Sequence, residues 1–160
     1  MFALIFGLSF LANAQDVQKD QPKGYQFTDI KRLPATSVKD QARAGTCWSW
    51  SGISFFESEM IRMGKEPIDL SAMYIVRHAY SDKATKFVRL HGNMNFAVGG
   101  AFCDVMHVIK NYGIVPMDVY KGLNYGEPNH AFGEIDDVLA GYINAVIKNS
   151  NKKLSTAWKK

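Results

Sequence analysis

Residues 47–63 constrain this chain more than any other stretch. They include Trp48, Trp50, Ile53, Phe55, Phe56, Met60, Ile61 and Met63, which fall on nearly every face of a helix before Gly64 stops it. A helix that is apolar all round has to be covered on all sides, so the chain is expected to fold about this segment as a buried central helix. Asp69 or Ser71 can cap a second helix, running through Tyr74, Ile75, Val76 and Ala79 toward Leu90. Phe102, Val105, Met106 and Ile109 place a third at about 102–112, with Gly113 as its stop. A fourth, over 134–148, carries a stripe of Ile135, Val138, Leu139, Tyr142 and Val146. Between these lies a long loop, 114–133, punctuated by Pro116, Gly122, Gly126, Pro128 and Gly133. There is no internal repeat and no run of alternating strands, so the chain reads as mainly helical.

Composition agrees with a folded chain: of 160 residues, 47% are hydrophobic and 21% charged. The formal net charge of +4 is unevenly placed. Lys148, Lys152, Lys153, Lys159 and Lys160 lie in the last 13 residues, and without these five the rest carries 14 basic against 15 acidic side chains. A nucleic-acid face needs Lys and Arg clustered on the folded body, and here only the tail is basic, so nucleic acid is discounted as a partner.

Residues 1–14 are uncharged. An apolar run from Phe2 to Leu11 precedes Ala12-Asn13-Ala14, the pattern of a secretory signal peptide cut before Gln15, although no Lys or Arg follows Met1. Export to the periplasm or the exterior is therefore expected. A buried N-terminal helix is the alternative, and the run is too short to span a bilayer. Residues 15–33 are a polar leader, 34–148 the folded lobe, and 149–160 a basic tail.

The chain has two cysteines, Cys47 and Cys103. In an oxidising compartment they could pair as a disulfide, or one of them could do chemistry. Cys47 stands where the Gly45-containing loop enters the first helix. Unpaired amides and the helix dipole at such a position favour negative charge on sulfur, as a nucleophile needs. Acyl transfer also requires donors for a developing oxyanion, and Gln41, six positions upstream, could supply one beside the backbone N–H of Cys47. Cys103 and His107 are four apart on one helix face, a spacing that can hold a metal, but two ligands do not make a site. A buried free thiol beside a polar helix residue explains them, and no metal or cofactor is expected.

The segment Gln41-Ala42-Arg43-Ala44-Gly45-Thr46-Cys47-Trp48-Ser49-Trp50-Ser51 resembles the nucleophile segment of papain-like cysteine peptidases. Gly99-Gly100, followed by Tyr112-Gly113-Ile114-Val115-Pro116, resembles that family's glycine substrate wall and the turn beyond it. Leu70-Ser71 with Tyr74 resembles the start of its next helix. The resemblance implies Cys47 as nucleophile, Gln41 as oxyanion-hole side chain, Gly99 and Gly100 as substrate-binding wall, and a peptide as substrate. Ala44 and the cysteine-free surroundings of Gly99, where ordinary papain-type enzymes carry a disulfide, resemble the bleomycin hydrolase and aminopeptidase C branch. For a complete enzyme that branch implies hexamer assembly.

Such chemistry also needs a His base and an orienting Asn, which in papain-type chains lie ~130–150 residues beyond the Cys. That is past Lys160. Of the four histidines here, His78 and His107 fall within expected helices and His91 in a loop. His130, 83 residues beyond Cys47, is the best candidate, although each of the four reads more simply as a surface or satisfied loop histidine. The fold class expected is therefore α+β in family terms, represented by the mainly helical left lobe with the β-barrel right lobe, its His and its Asn absent. The expected activity is that of an exported, aminopeptidase-like thiol peptidase whose isolated 160-residue piece is inactive or nearly so. A non-catalytic peptide-binding protein that keeps the groove without the base is the alternative.

Overall fold

The computed structural model describes residues 24, 25, 27–149 and 153–159, in two units, Met1–Arg32 and Leu33–Lys160. The export segment 1–14 lies outside the described residues, as do 15–23 and 26 of the polar leader and 150–152 and 160 of the tail. In the first unit the described residues form neither helix nor strand, and Tyr25 and Phe27 are exposed with ring centroids 6.3 Å apart.

The second unit carries four α-helices, α1 (Cys47–Arg62), α2 (Ala72–Arg89), α3 (Phe102–Tyr112) and α4 (Gly133–Ile147), and a 3-10 turn at Thr156–Lys159. Among the described residues extended pairing is confined to two isolated bridges, Arg43 with Ala131 in parallel and Leu70 with Pro116 in antiparallel sense. The lobe is thus mainly helical, and no β-barrel forms among the described residues. None of its helices is long and apolar enough to cross a membrane.

α2 and α3 pack on α1 and on each other, and α4 packs on α2. The core they enclose contains Trp48, Ile53, Leu70, Met73, Ile75, Val76, Tyr80, Val105 and Val108. α1 and α3 approach closely at Gly52, where a Cβ would lie 2.8 Å from a Val105 methyl, so they meet where no side chain intervenes. Full coverage of α1 is not what forms. Only Trp48, Ser49, Gly52, Ile53 and Glu57 are buried on it, while Phe55 stays 52% exposed, because neighbouring helices cover one side alone.

The second helix is capped by Ser71, not Asp69. The Ser71 hydroxyl accepts from the Tyr74 N–H at 3.0 Å and donates to the Tyr120 carbonyl at 2.6 Å, while the Asp69 carboxylate pairs with Lys39 at 2.8 Å. α3 starts where the Asp104 carboxylate accepts the Ala101 N–H at 2.8 Å and ends at Gly113, whose φ of +82° suits glycine. Asp82 of α2 ties α3 down by accepting from the Tyr112 hydroxyl at 2.7 Å and pairing with His107 Nε2 at 3.1 Å.

The expected stripe of α4 is rotated. Ile135, Val138 and Tyr142 are exposed, whereas Leu139 and Val146 of the same stripe pack inward beside Asp136 and Ile143. The Tyr80 hydroxyl donating to Asp136 at 3.0 Å fixes that rotation, since α4 has one helical neighbour and a buried phenol needs an acceptor.

Candidate active site

The loop entering α1 is built residue by residue. Asp40 Oδ1 accepts from the Ala42 N–H at 2.7 Å and the Gln41 carbonyl from Ala44 N–H at 3.3 Å, a tight turn that sets Ala42 at φ +51°. Arg43 then bonds both ways to a later loop, its N–H to the His130 carbonyl at 3.0 Å and its carbonyl to the Phe132 N–H at 3.3 Å. On the other side Val98 lies so near Gly45 that a Cβ there would come within 2.9 Å of it. Residues 41–47 are thus held between the 98–100 and 130–132 segments.

Thr46, fully buried, anchors the helix start. Its carbonyl accepts from Ser49 N–H at 2.9 Å, and its hydroxyl accepts from the Trp50 indole N–H at 3.1 Å. Because that hydroxyl is engaged with Trp50, no side chain caps α1, and the first amides of the helix stay open to an anion. Cys47, the first residue of α1, is exposed. Ser49 Oγ donates to the Ala72 carbonyl at 2.8 Å and fastens α1 to the start of α2. Gln41 is half-buried at the head of the turn.

The glycine pair stands beside this helix start. Gly100 is exposed, and a Cβ on it would lie 2.7 Å from the Trp48 ring, which follows Cys47 directly. Gly99 has φ +105°, a conformation open to glycine and strained for other residues. Together they present bare backbone next to an exposed thiol, and an extended peptide can pair with backbone only where no side chain blocks it.

Both cysteines are free, which removes the disulfide alternative, and Cys103 is exposed where a buried thiol was expected. His107 pairs with Asp82 and not with Cys103, and among the described residues no three His, Cys, Asp or Glu side chains gather as a metal would require. His130 departs further from expectation. It is 92% buried (8% exposed), its ring 5.9 Å from that of Trp50, and it lines a cavity of about 120 Å³ with Trp50, Ser71, Met73, Met117 and Tyr120. Its Nδ1 has no protein partner, and burial pushes its pKa below the ordinary range. The residues lining that cavity do not include Cys47, and among the described residues no histidine is hydrogen-bonded to the Cys47 thiol.

Glu57 was not singled out by sequence reasoning. Fully buried on α1, it accepts from the Thr36 hydroxyl, from Lys39 Nζ at 3.0 Å and from the Leu70 N–H at 2.7 Å. It joins the segment before the loop that enters α1 to the entry of α2. Its sequence signal is weak, a glutamate ten positions after Cys47 that follows Phe55 and Phe56 but has a second acid, Glu59, two residues on.

Residues 22–153 of the chain match the domain described as papain family cysteine protease. Among curated proteins none matches the chain.

Proposed function

The chain belongs to the papain family of cysteine proteases, and from that premise we propose that Cys47 is its nucleophile and peptides its substrates. The observation that carries this reading is an exposed cysteine opening an uncapped helix, beside the bare backbone of Gly99 and Gly100. In the proposed reaction the Cys47 thiolate attacks a peptide carbonyl carbon. The resulting oxyanion takes hydrogen bonds from the Gln41 side-chain amide and the Cys47 N–H. The C–N bond then breaks, the amine leaves with a proton from a histidine, and water hydrolyses the thioester to regenerate the thiol.

That histidine and its orienting Asn are proposed to lie in a strand-rich lobe beyond these 160 residues, with residues 34–148 forming the helical lobe and 149–160 a connecting tail. Supporting this are the placement of His130 in a cavity that Cys47 does not line and the exposed aromatics Phe55 and Phe102, 5.5 Å apart edge to face, which a second lobe could cover. The Ala44 and Gly113-Ile114-Val115-Pro116 features support the bleomycin hydrolase and aminopeptidase C branch, with amino-terminal trimming and hexamer assembly in a complete enzyme. Export through residues 1–14 belongs to the same proposal, and N-terminal sequencing of secreted material beginning at Gln15 would support it.

The central test is covalent labelling with a peptidyl epoxide. Modification of Cys47, lost in Cys47→Ala, supports the nucleophile, and modification of Cys103 with Cys47 untouched overturns it. A peptide-binding protein without catalysis remains the second reading, favoured by the absence of a histidine bonded to Cys47. It predicts peptide binding that survives Cys47→Ala with no covalent adduct in the unaltered chain.

A further inference from the structure

The wall formed by Gly99 and Gly100 is held without any covalent tie, since both cysteines are free. Two of its contacts are steric: Val98 sits on Gly45, and Gly100 on the Trp48 ring. The third is polar and comes from elsewhere in the fold. Lys83, half-buried on α2, donates from its ammonium group to the Gly99 carbonyl. The same ammonium lies 5.6 Å from the centroid of the Trp48 ring and 5.8 Å from that of Tyr80. One cation therefore joins the wall to the aromatic ring that follows the nucleophile.

We infer that Lys83 is a positioning residue for peptide substrates, fixing the Gly99–Gly100 peptide plane so that Gly100 meets the substrate backbone beside Cys47. This rests on the peptidase reading above and deepens it. Two consecutive glycines rotate with little steric restraint, and a plane free to turn presents its groups in many orientations. Anchoring the Gly99 carbonyl with a charge-assisted bond removes that freedom on one side. Among the described residues no protein group bonds to the amide or carbonyl of Gly100, which is exposed, so both remain for a strand-like ligand. Lys83 touches neither substrate nor thiol in this scheme, and acts through Gly99.

The experiment compares the unaltered chain with Lys83→Met and Lys83→Arg by two readouts. Amide hydrogen exchange over residues 98–101 should quicken about tenfold or more in Lys83→Met, as loss of one bond to a charged group implies, and recover in Lys83→Arg. Alkylation of Cys47 should split by reagent. A peptidyl epoxide should react about tenfold less efficiently with Lys83→Met, through a weaker concentration dependence, while iodoacetamide, which needs no wall, reacts at an unchanged rate. Unchanged exchange, or equal slowing with both reagents, overturns the inference. If the unaltered chain discriminates between the reagents and Lys83→Met discriminates equally well, the role of Lys83 fails while the peptidase reading stands. If the unaltered chain's Cys47 ignores the peptidyl reagent even though exchange responds to Lys83, both the peptidase reading and the positioning role are overturned.

Discussion

Glu57 shows how a single side chain ties the segment before α1 to the entry of α2. A buried carboxylate is tolerated because all its partners are supplied locally, by Thr36, Lys39 and the Leu70 N–H. Glu57→Ala leaves the buried Leu70 N–H without its acceptor and Lys39 with Asp69 as its remaining carboxylate, and should cost about 1–3 kcal/mol in urea denaturation, with Glu57→Gln costing roughly half as much. Gly100 makes a second prediction. A methyl group at 2.7 Å from the Trp48 ring has to displace ring or backbone, so Gly100→Ala should slow peptidyl labelling of Cys47 by at least tenfold while leaving the iodoacetamide rate nearly unchanged. At this scale the sequence was legible where a helix end imposes a residue type, as at Ser71, one of two caps its position allowed. It was illegible at His130, because a loop histidine looks the same in sequence whether it ends in water or under Trp50.

The helices were readable to the extent that their ends carry their own signals. α3 begins and ends where Asp104 and Gly113 satisfy its terminal groups, and those are local facts. Which face a helix buries is not local. α1 and α4 are not ringed by other helices, so Phe55 and Val138 stay exposed although their spacing would suit a core. The α1–α3 crossing depends on Gly52, and Gly52→Ala should destabilise by about 1–2 kcal/mol despite the better helix propensity of alanine, with Val105→Ala in the same chain recovering part of the loss. Packing of the 130–132 loop on α1 brings a pH dependence. Burial keeps His130 from taking a proton that the unfolded chain accepts near pH ~6.5, so acidification through that value favours unfolding until the folded-state group titrates as well. His78 shifts in the same direction, mainly by burial and then by Arg77, and adds to the slope. Urea titrations at about pH 7.5 and 5.5 should therefore show a smaller acid loss for His130→Asn than for the unaltered chain.

At the scale of the whole molecule, the proposed site, with Cys47 as nucleophile, Gln41 as oxyanion donor and no histidine bonded to the thiol among the described residues, should perform part of a reaction. Thiolate attack on an activated acyl group needs no general acid, because the leaving group departs as an anion. Hydrolysis of the thioester, in contrast, needs a base to draw a proton from water. A peptidyl p-nitrophenyl ester added above the ordinary thiol range should therefore release close to one equivalent of nitrophenolate per chain, after which the rate should fall sharply. The acyl group should be found on Cys47 by peptide mapping, and Cys47→Ala should show no burst. Imidazole added in solution should quicken the slow phase, since it supplies a base without a fixed geometry. His130→Ala should leave both phases as they are, because its imidazole lies in a cavity whose lining does not include Cys47. Sustained turnover that His130→Ala abolishes would place the base inside these 160 residues and remove the need for a second lobe.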